Sequence, residues 1–358
     1  PNNVETVTRG LFAGNTGSLT SMYLNSNLTA TQQTYFQDVY STGDPQADTN
    51  ANAELSLAYG HFGGSGSVDL TGNLNNDTPT RAIYKQYAQI LLSPTDKKFT
   101  FNGTDSDSIY VLNFNRARYR EKLDPGNFEL TLAQLSGSMA DSIVMNNDHT
   151  GSHVKVSGTG QYLQIIDDSS VTSAGSIDEG GLVYNLVSGS IDNGTTIFNS
   201  TAPTYFGLLY PQHGIAILNA DQLNKAYSAG GANFDSVTGS LVQGENATKL
   251  FKSLSGSNIL TPATINGGIQ SRSSEQVKST YYFVRVKNAE YNYSNNPSFV
   301  TGTLGELFFN TMIQDPQVYV TTVGLYNDRK ELLATAKLSQ PLLKNYTREA
   351  LIKVKLDF

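Results

Sequence analysis

The stretch VYVTTVGLYNDRKELLATAKLSQPL, from Val318 to Leu342, has two apolar arms around a polar centre. Apolar and polar residues alternate along both arms, which is typical of strands with one buried face. Asn327–Lys330 separate the arms, and Asn and Asp tolerate the backbone angles of a tight turn. The stretch therefore predicts a β-hairpin. We expect Pro341 to end its second arm, because proline cannot donate a backbone hydrogen bond.

The alternation also predicts which side chains face the core. In the first arm these are Tyr319, Thr321, Val323 and Leu325, and in the second Leu332, Ala334, Ala336 and Leu338. The segment ALIKVKLDF (350–358) predicts a third strand, with an inward row of Ile352, Val354, Leu356 and Phe358. Its outward row contains Lys353 and Lys355. We therefore expect a three-stranded sheet that is core on one face.

The composition of the 358 residues extends the β prediction to the whole chain. Charged residues make up only 15% and hydrophobic residues 38%, while the chain holds 32 Gly, 20 Tyr and 16 Phe. Aromatic residues favour strands, and turn-forming residues favour the loops between them. We expect a mainly β fold with antiparallel sandwich or barrel-like domains, a few short helices and long polar loops.

Shifts in composition predict four segments. Residues 1–55 are polar and indicate an arm or linker, and 56–150 indicate an α+β segment with a helix at 79–92. Residues 151–275 form a β-rich region with much Gly, Ser and Asn, and 276–358 form an antiparallel β domain.

Four short helices are predicted. In TPTRAIYKQYAQILLSP, Thr78 suits the cap and Pro79 the first position, and Ile83, Tyr87, Ile90 and Leu91 form one apolar stripe. The spacing of Tyr35, Phe36, Val39 and Tyr40 indicates another helix. The remaining two begin at Asn219 and Asn246, since Asn is a favourable cap.

Charge and composition exclude several classes of function. The net charge is −7, which argues against nucleic acid as the main partner, because binding phosphates requires clustered Lys and Arg. The chain has no Cys, so disulfides, thiolate zinc sites and thiol catalysis are absent. No apolar run is long enough to span a membrane, and the first residues predict no secretion signal, so we expect synthesis in the cytoplasm.

No residue pattern indicates catalysis or a cofactor. The glycines at 60, 63, 64 and 66 match no phosphate-binding loop, because no Gly-Lys-Ser/Thr follows them. His149 and His153 have the spacing of two helical metal ligands, but Gly151 between them argues against a helix. Asp105 and Asp107 lack the Gly and Glu of a calcium loop and favour a turn. We expect a protein that is not an enzyme, with no cofactor and no bound metal.

DSIYVLNFNRARYREKL predicts a strand whose alternation places Tyr110, Leu112 and Phe114 on one face. If the alternation continues, Arg116, Arg118 and Arg120 lie on that face too. Such a row of like charges favours docking to an acidic partner, or else a solvated strand end whose arginines pair with nearby Asp and Glu. The candidate contact residues are these three arginines together with Lys353, Lys355 and Phe358.

Several long phrases resemble virion structural proteins of large contractile-tailed bacteriophages, the myoviruses and cyanophage-like phages. They are AYGHFGGSGS, TRAIYKQYAQILL, IYVLNFNRARYREKLDPGNFELTL, YFGLLYPQHGIAIL, SSEQVKSTYYFVRVKNAEYNYSNNPSFVTG and YVTTVGLYNDRKELLATAKLSQPLLKNYTREALIKVKLDF. The phrase VGLYND…LLATAKL is similar to baseplate and fibre-attachment proteins.

The resemblance implies a non-enzymatic tail or baseplate subunit, made in the host cytoplasm and present in many copies, with other virion proteins as partners. The family offers no catalytic residues to transfer. Three alternatives remain. The first is a receptor-binding or glycan-binding fibre or spike protein, the second is a polysaccharide depolymerase, and the third is a capsid or neck decoration protein, which differs from the leading hypothesis only in its position in the virion.

Overall fold

A computed structural model describes most of the chain. The described residues are 2–12, 17–19, 22–25, 35–43, 45, 47–67, 78–133, 162–171, 175–178, 180–192, 195–234, 246–260, 268–293, 297–298 and 300–357. Strands account for 50% and helices for 14%, which confirms the mainly β fold with few helices. His149 and His153 lie outside the described residues.

The strands, in chain order, are β1 Asn2–Gly10, β2 Ser18–Leu19, β3 Tyr23–Leu24, β4 Phe36–Tyr40, β5 Ala53–His61, β6 Phe99–Phe101, β7 Thr104–Ser106, β8 Ser108–Phe114, β9 Lys122–Leu123, β10 Glu129–Ala133, β11 Tyr162–Asp167, β12 Ser176–Asp178, β13 Gly181–Asp192, β14 Thr195–Phe198, β15 Tyr205–Tyr210, β16 Ile215–Asn219, β17 Ile269–Gln270, β18 Arg272–Val286, β19 Val300–Thr301, β20 Glu306–Leu307, β21 Val318–Tyr326, β22 Leu332–Lys344 and β23 Ala350–Asp357. The helices are α1 Pro79–Leu91, α2 Ala220–Asn224, α3 Asn246–Leu260 and α4 Thr311–Gln314.

The chain divides into two compact units. The large unit is Val7–Glu275, and the small unit combines Pro1–Thr6 with Gln276–Phe358. The main sheet of the large unit has 13 strands, with the order β2-β17-β10-β11-β13-β15-β16-β8-β5-β4-β3, and β12 and β14 also pair with β13. Neighbouring strands in this sheet are antiparallel.

β8 lies inside this sheet and is buried on both faces. Tyr110, Leu112 and Phe114 share one core cluster, as their alternation predicts. Ile109 and Val111 point to the opposite face and join a second cluster. A strand covered on both sides reads as a continuous apolar run, which explains the sequence IYVL.

α1 confirms the clearest helix prediction, and the predicted apolar stripe is partly right. Leu91 is buried, and Ile83 and Tyr87 pack against the core, whereas Ile90 is 46% exposed. The stripe missed the other buried residues, which are Thr80, Tyr84 and Ala88. The phase is set by Tyr84, whose hydroxyl donates to the Ser106 carbonyl at 2.7 Å and accepts from the Phe99 amide at 3.0 Å. Both partners are distant in sequence, so the periodicity of the helix alone could not reveal them.

The helix predicted around Tyr35–Tyr40 is also wrong, because Phe36–Tyr40 form strand β4. This strand pairs with β5 in antiparallel register, and aromatic and β-branched residues suit such a position. The two helices predicted to begin at Asn219 and Asn246 are confirmed. Asn219 caps α2 by accepting from the amides of Asp221 and Gln222, and α3 begins at Asn246.

The small unit holds three sheets and a small core of its own. The order of its main sheet is β1-β18-β23, while β21 and β22 form a separate hairpin and β19 and β20 a short two-stranded sheet. The predicted three-stranded sheet is therefore wrong: β23 pairs with β18, with Val354 opposite Tyr282. The alternation indicated the buried faces, but it carries no information about the pairing partner. The hairpin and the sheet meet through a cluster centred on Val323, Ile352 and Val354.

Buried carboxyls in the large unit give a testable pH dependence. Glu129 on β10 is 7% exposed and accepts from Gln164 Nε2 at 2.7 Å, and burial raises its pKa above the usual value. Burial likewise raises the pKa of Asp124 and of Asp167. The folded state therefore binds the protons of these carboxyls more tightly than the unfolded state does. The resulting stabilisation of the folded state is complete below the pKa that the carboxyls have in the unfolded state, and it is lost as the pH rises through their pKa in the folded state.

We therefore expect the free energy of unfolding to fall as the pH rises from about 4 toward neutrality. Glu129→Gln should reduce this slope without abolishing it, since Asp124 and Asp167 still titrate. Urea denaturation at a series of pH values measures the slope. An identical slope in the wild type and in Glu129→Gln would contradict the assignment to Glu129.

Candidate assembly surface

Exposed large apolar side chains are concentrated in the small unit. Of 21 such side chains in the described residues, 16 belong to this unit, although it contains less than a third of the described residues. They are Val4, Tyr282, Phe283, Tyr291, Tyr293, Leu304, Phe308, Phe309, Ile313, Tyr319, Tyr326, Leu332, Leu333, Leu342, Tyr346 and Leu351. Single exposed apolar residues are ordinary on a protein surface, but such a concentration is typical of interaction surfaces.

The outward face of β18 and β23 combines aromatic rings with lysines. Phe283 is 56% exposed and pairs across the strands with Lys353. The Nζ atom of Lys353 lies 3.9 Å from the centroid of the Tyr281 ring and 6.0 Å from that of Phe283. Leu351, 69% exposed, continues this face. Lys353 therefore offers a charge fixed over aromatic rings and not a freely moving one.

Ion pairs organise the other end of the same face. Lys355 Nζ lies 3.1 Å from a carboxylate oxygen of Glu5 and 3.2 Å from one of Asp357. The hydrogen bond to Glu5 makes the largest contribution to raising the pKa of Lys355, and the hydrogen bond to Asp357 raises it further. The Ser279 hydroxyl donates to Asp357 at 2.7 Å and lowers its pKa. In the strand pairings of the described residues, the second edge of β23 has no partner, so its backbone groups are available to another strand.

The hairpin of β21 and β22 carries a second apolar area. Asn327 builds its turn, because its side-chain oxygen accepts from the amides of Arg329 and Glu331 at 3.0 and 2.9 Å. Lys330 occupies the left-handed region with φ 62°. Tyr326 is 63% exposed, and Leu332 is 53% exposed. The two side chains cover the space that a Cβ at Gly324 would occupy.

The predicted inner row of the hairpin is only partly right. Val323 and Leu325 face the core with Ala336 and Leu338, but Val320 takes the place predicted for Tyr319, which is 64% exposed. The register shifts between Val320 and Thr322, where several residues of β22 oppose one of β21. This irregularity reverses the facing of the first residues of the arm. Pro341 lies in the irregular part of β22, which continues to Lys344, so the prediction that it ends the strand is wrong.

The long connection between β18 and β21 presents a third apolar area. Phe308 and Phe309 pack edge to face with ring centroids 4.9 Å apart, and both remain more than half exposed. Leu304 at the turn between β19 and β20 is 87% exposed, and Ile313 on α4 is 70% exposed. The sequence analysis did not predict this area, although aromatic residues in an otherwise polar connection are a usable signal for an exposed apolar surface.

A buried lysine anchors the start of this connection. Lys344, at the end of β22, has no exposed surface, and its Nζ donates to three oxygens. These are the carbonyls of Asn288 and Asn345, at 2.9 and 3.0 Å, and the side-chain oxygen of Asn292 at 2.8 Å. The lysine thereby ties the turn that carries Tyr291 and Tyr293 to the hairpin.

The structure corrects the prediction of an arginine row on one strand face. β8 ends at Phe114, and residues 116–118 form a 3-10 turn, so the three side chains diverge. Arg116 donates to the Tyr119 carbonyl at 2.6 Å and stacks 4.6 Å from its ring centroid. Arg118 pairs with Glu54 at 2.6 Å, while the backbone amide of Arg120 donates to Ser273 Oγ at 2.8 Å. The alternative in which the arginines pair with nearby Asp and Glu thus describes Arg118.

Lys353 and Lys355 point outward, and Ile352 and Val354 point inward, as the alternation predicts. Phe358 lies outside the described residues. A contact role for these residues and for the three arginines stays a prediction.

Arg118 and Arg120 can be separated by experiment. Arg118→Met leaves the Glu54 carboxylate, whose side chain is only 4% exposed, with Ser41 as its remaining donor. We expect a loss of about 2 kcal/mol in the free energy of unfolding, less than for a fully buried pair because Arg118 is partly exposed. Arg120→Met is the matched control and should change stability by less than about 0.5 kcal/mol. Equal stability of the two variants in urea denaturation would contradict a structural role for Arg118.

The described residues contain neither a metal-ligand cluster nor a membrane-spanning helix. Nowhere in that part of the chain do three His, Asp or Glu side chains come together as a metal site would need. The described helices include none with the length and apolar content needed to cross a bilayer. Asp107, considered above for a calcium loop, pairs with Lys98 at 2.7 Å.

Comparison of the chain with models of known protein families, with curated proteins and with solved structures found no match.

Proposed function

We propose that the chain is a non-enzymatic structural subunit of a bacteriophage virion. The small unit joins neighbouring virion proteins, or further copies of the chain, through its exposed apolar surface. The observation that carries the proposal is that 16 of the 21 exposed large apolar side chains in the described residues lie in this unit. Removing such a surface from water is the main favourable term in protein association.

The phage assignment depends on the resemblance of the sequence phrases, which favours a tail or baseplate location. The free edge of β23 supports it indirectly, since an exposed edge is a site for strand addition by a partner. Lysines on such an edge also oppose uncontrolled aggregation, which suits a protein made in many copies before it assembles.

The test is incorporation of tagged variants into phage particles. Leu304→Glu introduces a charge on the apolar surface of the small unit, where the side chain is 87% exposed. Ile177→Glu is the matched control, because Ile177 is 86% exposed and lies in the large unit. Neither change should affect folding, whereas only Leu304→Glu should reduce incorporation, by about tenfold or more.

Immunogold labelling of intact particles locates the wild-type chain at the same time. Label on the tail or baseplate is the expected result. Label confined to the head would contradict a tail location and favour the alternative of a capsid decoration protein. Equal incorporation of the two variants would overturn the assignment of the surface. Absence of the wild-type chain from particles would overturn the function itself.

The second candidate is glycan or receptor binding, favoured by the exposed tyrosines of the small unit. Six of them are exposed: Tyr282, Tyr291, Tyr293, Tyr319, Tyr326 and Tyr346. Aromatic side chains with a polar tip serve as stacking platforms at binding surfaces. Binding of the purified chain to host surface polysaccharide, lost in Tyr291→Ala, would favour this candidate over assembly.

A further inference from the structure

The large unit has a groove beside α1 that the proposed assembly function does not use. It is enclosed by one face of the helix and by the segment Ser93–Lys97 that follows it, with Phe62 at one side, and its volume is about 590 Å³. Arg81, Lys85, Ala88 and Leu92 line the groove at helical spacing. The face of α1 that carries Tyr84 and Leu91 lies in the core, so this neighbouring face is left to form the groove wall.

The floor of the groove is apolar. Ala88 and Leu92 are each 9% exposed, and Phe62 and Pro94 extend the apolar lining. The Phe62 ring is held in place on two sides. It packs edge to face on Tyr84 with centroids 5.7 Å apart, and Lys98 Nζ lies 4.8 Å from its centroid. A fixed apolar floor of this size suits one bulky side chain with its flanking backbone.

The rim of the groove is basic. Arg81 and Lys85 lie on the helix and Lys97 on the opposite segment, and among the described residues of the lining Asp96 is the one carboxylate. Among the described residues, no ion pair engages Lys85 or Lys97, whereas Lys98 next to them is paired with Asp107 at 2.7 Å. This local excess of positive charge stands out in a chain with a net charge of −7.

We propose that this groove binds an acidic peptide segment of a partner protein, with one large apolar side chain on the floor and carboxylates at the rim. Charge complementarity selects the acidic class, because Lys85 and Lys97 face each other across an apolar floor whose described lining has Asp96 as its carboxylate. Three cations are too few to follow a nucleic acid backbone against a net charge of −7. The groove belongs to the large unit, so the proposal is independent of the assembly surface.

The probe is a fluorescein-labelled peptide with one central Phe between three Glu on each side, titrated with the full-length chain by fluorescence polarisation. We expect saturable binding in the micromolar range that weakens as salt increases. Lys85→Glu should weaken it by at least about tenfold. Arg120→Glu is the matched control, since it makes the same charge change in the same unit outside the groove and should have little effect.

Two further arms test the apolar floor and the ligand class. The same peptide with Ser in place of Phe should bind much more weakly, and Ala88→Phe, which fills the floor, should weaken binding of the original peptide. Circular dichroism confirms that each variant is folded. Absence of saturable binding, an equal effect of Lys85→Glu and Arg120→Glu, or equal binding of the two peptides would each overturn the proposal. Binding of decanoate to the groove without binding of the peptide would assign the groove to a small amphiphile instead.

Discussion

Deletion of residues 351–358 is expected to unfold the small unit. β23 pairs with β18 over eight positions, from Ala350 opposite Val286 to Asp357 opposite Ser279. It also contributes Ile352 and Val354, which are 7% and 5% exposed, to the only core cluster described for this unit. Removing a buried branched side chain costs about 2–5 kcal/mol, so losing both approaches the whole stability of a small domain.

Limited proteolysis and hydrogen exchange of the full-length chain and of the deletion measure this effect. Peptides from 276–350 should lose their protection, while those from the large unit should keep it. Two single substitutions separate strand pairing from core packing. Ile352→Asp should reproduce the loss, and Leu351→Asp, at a position 69% exposed on the opposite face, should not. Unchanged protection of residues 276–350 in the deletion would contradict this account of β23.

Strand β23 shows which features alternation can predict and which it cannot. The facing of Ile352, Lys353, Val354 and Lys355 follows from a period of two residues, and the structure confirms it. The pairing of the strand does not follow, because the face pattern is the same whichever strand lies beside it. The structure places β23 next to β18, more than sixty residues away in sequence, and not next to the adjacent hairpin.

Local irregularities limit the prediction in the same way. The start of β21 would follow the predicted rows if the hairpin were regular, but the shift at Val320 turns Tyr319 outward. In α1 the helix itself was predictable, and its phase depends on the two hydrogen bonds of the Tyr84 hydroxyl with Ser106 and Phe99. Contacts between residues distant in sequence therefore determine both the facing of Tyr319 and the phase of α1.

The candidate surface was even less accessible to sequence reasoning. The row of arginines predicted a contact surface because its charges are regularly spaced in the sequence. In the structure, Arg116 bonds to the Tyr119 carbonyl and Arg118 pairs with Glu54. Apart from the aromatic residues in the polar connection between β18 and β21, the exposed apolar side chains have no distinguishing sequence pattern, since Leu304 or Leu351 would look the same in a core. Exposure is a property of the folded chain, and only the packing of the small unit reveals it.

Lys344→Met should release the turn that presents Tyr291 and Tyr293. Methionine keeps the length of the buried side chain but donates no hydrogen bond, so three charge-assisted hydrogen bonds are lost. The Asn292 side-chain oxygen loses its lysine donor, whereas the Asn288 carbonyl keeps the bond from Asn292 Nδ2 and the Asn345 carbonyl keeps the bond from the Arg348 amide. A hydrogen bond to a charged group contributes about 1.5–3 kcal/mol, but methionine also avoids the cost of burying a charge. A net loss of about 2 kcal/mol is therefore expected.

Hydrogen exchange of residues 287–293 is the most direct measurement, because about 2 kcal/mol corresponds to exchange about thirtyfold faster. Lys337→Met is the matched control, since Lys337 is an exposed lysine on the same strand and its removal should leave this exchange unchanged. Equal exchange in the two variants would contradict the anchoring role of Lys344. If the proposed assembly surface is right, Lys344→Met should also lower incorporation into particles, because the two tyrosines would no longer be held in a fixed position.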